Sequence, residues 1–159
     1  MKNKPFDLLI LDIDGVMTSG HKFYDNDSNV IMKAYSDLDF TAIKRFKLKG
    51  FDVCFLSGDC VVNKAMAKKR KVDFYNSKTW VDGSNKEEFI EIFSATYNTS
   101  PERMAYVGDD FYDTGIMKKV GFAYCPKNSP RCVKKISEVL DVNSGEAVVA
   151  CLYDLICDD

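Results

Sequence analysis

The chain has 159 residues, 46% apolar and 29% charged, with 22 Lys and Arg against 24 Asp and Glu and a formal net charge of -2. That composition supports a buried core and excludes a chain that stays disordered, while the near balance of charge argues against a nucleic-acid coat or a membrane-surface protein. No apolar run approaches the ~20 residues of a membrane span or fits a signal peptide. The length predicts a single domain over residues 1–159. The cysteines are Cys54, Cys60, Cys125, Cys132, Cys151 and Cys157. No C-x-x-C pair occurs among them, and Cys54 and Cys151 sit in apolar runs, so they read as reduced thiols in a cytoplasmic protein. His21 is the single histidine, which leaves no zinc-binding set.

Residues 7–11 (DLLIL) form a short apolar run that ends in Asp12-Ile13-Asp14-Gly15, the pattern of a buried parallel strand. Residues 17–35 are polar, with Val30, Met32 and Ala34 alternating, and predict a hairpin that turns at Tyr24-Asp25-Asn26-Asp27. A helix follows over residues 38–49, with Gly50 as its stop. Residues 51–56 read as the next strand, ending in Ser57-Gly58-Asp59. A helix over 61–70 carries Lys and Arg at its C-terminal end, where they complement the dipole, and a short strand covers 72–75. Ser84-x-x-Glu87 has the form of a capping box ahead of a helical face of Phe89, Ile92, Phe93 and Tyr97. Pro101-Glu102-Arg103 turns the chain into a strand at 104–107, which ends in Gly108-Asp109-Asp110. Strands alternating with helices predict an α/β fold, a Rossmann-like three-layer sandwich with a central parallel sheet. Ligands of such sheets sit at the carboxyl ends of the strands.

Three of these strands deliver polar residues to that edge: Asp12 and Asp14, then Ser57, then Asp109 and Asp110. Clustered carboxylates repel and need a counter-charge. An all-oxygen donor set suits a hard cation, most simply Mg²⁺. Lys86 adds a second positive charge, and Ser57 with the backbone N–H groups around Gly58 can cradle an anion. A cation, a lysine and a hydroxyl around a carboxylate make a site for a phosphoryl group, with the carboxylate as nucleophile.

DIDGV at 12–16, LSG at 56–58, Lys86 and GDDFYD at 108–113 together resemble the haloacid dehalogenase-like superfamily of phosphotransferases. The resemblance implies that Asp12 is the nucleophile and Asp14 the general acid and base. It implies that the Asp12 carboxylate, the Asp14 backbone carbonyl and the Asp109 carboxylate hold Mg²⁺, supported by Asp110 and Asp113. Ser57, Gly58 and Lys86 then bind the phosphate. About forty residues separate the first two motifs and roughly thirty separate Ser57 from Lys86, which leaves no room for a cap domain of ~50 residues. The stretches DIDGVMTSGHKFYD, KAYSDLDFTAI, LSGD, VDGSNK, VGDDFYD and SGEAVVACLYDLI are similar to the capless sugar-acid phosphatases, which act on eight- or nine-carbon keto-deoxy sugar acid phosphates, and to the C-terminal domain of animal sialic acid cytidylyltransferases. That branch implies a Mg²⁺-dependent homotetramer in which a hairpin, here about residues 17–35, projects over a neighbour's site. Four positions depart from its pattern. Phe40 stands where a Gly is usual, Asp59 where an Arg follows the second-motif Gly, Glu146 where a Gly is usual, and Val149 where an Arg meets the substrate carboxylate.

Two other functions fit parts of this pattern. A catalytically weak relative serving as an oligomerisation or regulatory module fits the altered Asp59 and Val149. A phosphorylation-dependent receiver also uses an Asp cluster, Mg²⁺ and a Lys, but a built-in acid/base on the first strand favours hydrolysis. His21, Lys22 and Tyr24 fit either a lid or a solvated hairpin. Lys68-Lys69-Arg70-Lys71 reads as a solvated helix end rather than an import signal, and Trp80 as a packing or interface residue.

Overall fold

The structure, a computed structural model, describes residues 4–59, 61–79 and 85–157. In chain order its strands are β1 (Leu8–Leu11), β2 (Phe23–Tyr24), β3 (Val30–Met32), β4 (Asp52–Ser57), β5 (Asp73–Asn76), β6 (Met104–Val107), β7 (Phe122–Pro126) and β8 (Glu138–Leu140). Its α-helices are α1 (Asp37–Leu48), α2 (Val61–Arg70), α3 (Phe89–Tyr97), α4 (Thr114–Met117), α5 (Arg131–Lys134) and α6 (Val148–Ile156). The predicted Ser84 cap and Trp80 lie outside the described residues.

β1 is apolar at every position and buried on both faces, as a central parallel strand must be. It pairs in parallel with β4 on one side and β6 on the other, so that Leu9 stands opposite both Val53 and Ala105. The whole sheet runs β5-β4-β1-β6-β7-β8, and each of its pairings is parallel. Alternate residues face opposite layers. Leu9, Leu11, Val53, Phe55, Ala105 and Val107 pack with Ile43 and Phe46 of α1 and Leu152 and Tyr153 of α6. Leu8, Ile10, Cys54, Leu56 and Tyr106 pack on the other face with Phe89, Ile90 and Phe93 of α3. This is the expected α/β three-layer sandwich with no cap domain among the described residues. The strand order reverses beside β1, between β1 and β6, the place where such sheets open a crevice for ligands.

The predicted elements through β6 appear with ends shifted by one or two residues, as expected of boundaries. Ser36 caps α1 by accepting from the Leu38 N–H at 3.3 Å, so the helix begins at Asp37. On α3 the buried positions are Phe89, Ile90 and Phe93, with Ile92 and Tyr97 only partly covered. The hairpin forms, but its strands are short. Its turn is tied by Asp25, whose Oδ1 accepts from the N–H groups of Asp27 (3.0 Å) and Asn29 (2.8 Å). The alternating apolar residues do not turn inward: Met32 and Ala34 are exposed and Lys33 is buried. Ion pairing rather than apolar packing decides which face turns inward.

Asp39 of α1 is fully buried and ties α1 to α6, because its Oδ1 accepts from the N–H groups of Val149 (2.8 Å) and Ala150 (3.1 Å). It caps a helix 110 residues away in the role an N-cap side chain plays locally. Burial pushes its carboxyl up to about 6 against the lowering effect of these two donors. An acid raised on folding favours the folded state at low pH and loses that advantage as pH climbs from about 4 through 6. Asp39→Asn keeps the acceptor without the charge. Chemical denaturation is therefore expected to show the two proteins equally stable below pH 4. The variant should gain through pH 6 and hold a constant advantage of about 3 kcal/mol at most above it. Asp39→Ala removes the cap and is expected to cost about 1–2 kcal/mol at pH 4.

Candidate active site

β1, β4 and β6 end side by side, and the residues after them line one cleft of about 820 Å³. The predicted residues Asp12, Asp14, Ser57, Gly58, Lys86, Asp109 and Asp110 all line it, joined by Gly15, Gly20, Lys22, Asp59, Ser77, Lys78 and Tyr112. Asp113 stands fully buried behind them. His21 stays exposed and pairs through Nδ1 with the Ser19 hydroxyl at 2.9 Å.

Lys86 opens the 3-10 turn Lys86–Glu88 and reaches inward, its side chain only 6% exposed. Its Nζ lies 2.7 Å from Asp12 Oδ2, 2.7 Å from Asp113 Oδ1 and 3.1 Å from the Tyr106 hydroxyl. Burial alone would lower the ammonium, but the charges of Asp12 and Asp113 outweigh it and hold Lys86 protonated. Asp113 is saturated. Its Oδ1 also accepts from the Tyr106 hydroxyl at 2.6 Å, and its Oδ2 accepts from the backbone N–H groups of Asp109 (2.8 Å) and Asp110 (3.0 Å). Asp110 in turn caps the turn Phe111–Asp113. The GDDFYD segment thus folds onto its own last carboxylate, which aims Asp109 into the cleft.

Asp12 Oδ1 accepts from the Ile13 N–H at 2.7 Å. Burial pushes the Asp12 carboxyl up to about 7 despite Lys86. Burial, with the charge of Asp12 next, lifts Asp109 to about 8. Carboxylate oxygens of Asp12, Asp109 and Asp113 lie within 4.8 Å of one another, yet Asp109 Oδ1 is buried with no hydrogen-bond partner. Two ionisable acids at the floor of one cleft, one with an orphaned oxygen, have the donor chemistry for a hard cation between them. Asp113 already has its oxygens occupied, so Asp12 and Asp109 are the carboxylates with capacity to spare.

Gly15 makes this approach possible. A Cβ there would lie 2.0 Å from Asp109 Oδ2, and its φ of +82° is one that L side chains rarely adopt. Gly15→Ala is expected to displace Asp109, weaken divalent-cation affinity at least tenfold by calorimetric titration, and lower stability by about 1 kcal/mol or more.

A second network, not anticipated from the sequence, fixes Asp14. Lys33 Nζ lies 2.7 and 2.9 Å from the Asp14 oxygens, 2.7 Å from Asp59 Oδ2 and 3.0 Å from Asn63 Oδ1. Asn63 Nδ2 donates to Asp14 Oδ2 and to Ser57 Oγ, each at 3.0 Å, and the Tyr35 hydroxyl donates to Asn63 Oδ1 at 2.8 Å. Lys22 adds contacts of 3.3 Å to Asp59 and 3.8 Å to Asp14. Asp59 is therefore not a bare negative charge facing the cleft: desolvation is outweighed by Lys33 and Lys22, which hold its carboxyl below the usual range. The sequence signal for this network was a lysine on a hairpin strand beside a lone acid at position 59; neither points to the other without the fold.

No family model matches the sequence. The chain is 27% identical over 150 residues to the 3-deoxy-D-manno-octulosonate 8-phosphate phosphatase of Yersinia pestis, covering 94% of this chain and 78% of that one. It is 28% identical over 152 residues to the same enzyme of Salmonella typhimurium, with the same coverage. The solved Yersinia pestis structure superposes with a TM-score of 0.87 at 26% identity, over 96% of this chain and 81% of the other. The Moraxella catarrhalis phosphatase, solved with a magnesium ion, a phosphate ion and a KDO molecule, shares the fold with a TM-score of 0.86 at 19% identity, over 96% of this chain and 86% of that one. Along nearly its whole length the chain is similar in both sequence and fold to the 3-deoxy-D-manno-octulosonate 8-phosphate phosphatases.

Proposed function

We propose that the protein is a Mg²⁺-dependent phosphomonoester hydrolase that works through an aspartyl-phosphate on Asp12, with a phosphorylated keto-deoxy sugar acid of the octulosonate 8-phosphate or nonulosonate 9-phosphate type as substrate. The observation that carries it is the buried Lys86 held between Asp12 and Asp113 beside the orphaned oxygen of Asp109. The named activity of the Yersinia and Salmonella relatives supports the substrate class, and the magnesium of the Moraxella structure supports the cofactor.

Asp12 and Asp109 would hold the cation, with the Asp14 carbonyl as third donor. The bound ion would supply charge neutralisation for the phosphoryl oxygens and for Asp12. Lys86 Nζ, 2.7 Å from Asp12, fixes the nucleophilic carboxylate and faces the same oxygens. The Ser57 hydroxyl accepts from Asn63, which leaves its own proton to donate to the phosphate. An Asp12 carboxylate oxygen attacks phosphorus as the ester P–O bond breaks, and Asp14 gives a proton to the departing oxygen. Asp14 then takes a proton from water, which attacks phosphorus and releases phosphate and intact Asp12. Lys33, Asn63 and Lys22 orient the Asp14 carboxylate for both transfers. The reading includes a homotetramer closed by the hairpin, supported by the exposed Phe23, Tyr24, Ile31 and Met32 at its surface. No described helix is long and apolar enough to cross a membrane, and nothing in the balanced charge calls for nucleic acid.

Phosphate release from a panel of eight- and nine-carbon sugar acid phosphates, hexose phosphates and p-nitrophenyl phosphate tests this. Turnover of a sugar acid phosphate that chelation abolishes and Mg²⁺ restores is expected. Absence of release from every ester with Mg²⁺ present would overturn the reading.

A further inference from the structure

Ser77 and Lys78 follow β5 and line the cleft outside the Asp12 cluster. Ser77 is 1% exposed, and its Oγ is buried without a hydrogen-bond partner. Buried hydroxyls are nearly always bonded, so an orphan that lines a cleft points to a group that arrives there. The Lys78 N–H donates to Asn76 Oδ1 at 3.0 Å, which fixes the turn. The Lys78 side chain lies along Gly58: a Cβ on Gly58 would meet Lys78 Cε at 3.0 Å, Lys78 Cγ at 3.2 Å and Ser77 Oγ at 3.3 Å. Gly58, Ser77 and Lys78 therefore form one continuous wall.

The other cleft lysines are committed. Lys86 is paired with Asp12 and Asp113, Lys33 with Asp14 and Asp59, and Lys22 with Asp59 and Asp14. Among the described residues no carboxylate pairs with Lys78. Among the described residues the cleft thus holds an unpaired ammonium beside an unpartnered hydroxyl, a donor pair suited to a small oxyanion. β5 stands two strand spacings, about 10 Å, from β1 and the nucleophile. A substrate phosphorylated at one end and carrying a carboxylate at the other would span that separation.

We propose that Ser77 and Lys78 form the subsite for the substrate's carboxylate, and so select sugar acid phosphates over neutral sugar phosphates. This rests on the phosphatase reading above. Lys78 brings the positive charge from the turn after β5.

The test compares kcat/KM for 3-deoxy-D-manno-octulosonate 8-phosphate with that for p-nitrophenyl phosphate, which has no carboxylate, in the wild type, Lys78→Met, Lys78→Arg and Ser77→Ala. The ratio of the two values is expected to fall at least tenfold in Lys78→Met, mostly through KM for the sugar acid. It should fall several-fold in Ser77→Ala and recover in Lys78→Arg. A ratio unchanged in Lys78→Met would overturn the subsite while leaving the phosphatase reading intact. So would a wild type that cleaves p-nitrophenyl phosphate but not the sugar acid phosphate. A wild type that cleaves neither would overturn the phosphatase reading itself, and the subsite with it.

Discussion

Asp12→Asn is expected to lower phosphate release at least about a thousandfold, with the fold intact. The amide removes the nucleophile but keeps an oxygen for the Ile13 N–H, which Asp12 Oδ1 now accepts at 2.7 Å. It also removes one of the two charges that hold Lys86, while Asp113 at 2.7 Å remains. Circular dichroism should therefore match the wild type while turnover vanishes. Retained turnover in Asp12→Asn would remove Asp12 from the role of nucleophile.

Lys86→Met is expected to be the most destabilising substitution in the site, by about 3–5 kcal/mol in chemical denaturation at pH 8, and to abolish activity. The methionine fills similar space but leaves Asp12 and Asp113 facing each other in a dry pocket without their shared cation. Asp113 is fully buried and its charge has no route to water. Combining Lys86→Met with Asp113→Asn is expected to recover part of the stability and none of the activity, because it removes the stranded charge without restoring the ammonium. Equal stability of Lys86→Met and wild type at pH 8 would show that the triad is not ion-paired as described.

The part of this architecture legible in the sequence is the part encoded locally. The apolar run before Asp12 marks a strand buried on both faces, and the acidic and hydroxyl residues after three such strands mark the site edge. The inward path of Lys86 was not local. Its partner Asp113 lies 27 residues away and Asp12 lies 74 away, so only the pairing of β1 with β6 brings them together. The same holds for Lys33, whose orientation an ion pair, not a hydrophobic period, decides. Asp39 shows the limit again, since its capping partners lie on α6, 110 and 111 residues on. Three of the elements after β6 are short: α4 and α5 have four residues each and β8 has three. Tertiary packing rather than local pattern defines them. Asp59 stands in the sequence only as a departure from the pattern of the similar phosphatases, and only the fold reveals the two lysines paired with it.

The central claim is that Asp12 carries the phosphoryl group. Its most direct test is acid-quenched peptide mass mapping during turnover with Mg²⁺, using Asp14→Asn to slow the hydrolysis step. The account predicts a phosphoryl group on the peptide containing Asp12 that builds up in Asp14→Asn and is absent in Asp12→Asn. A phosphoryl group on another residue, or full turnover with no phosphorylated peptide in Asp14→Asn, would contradict it.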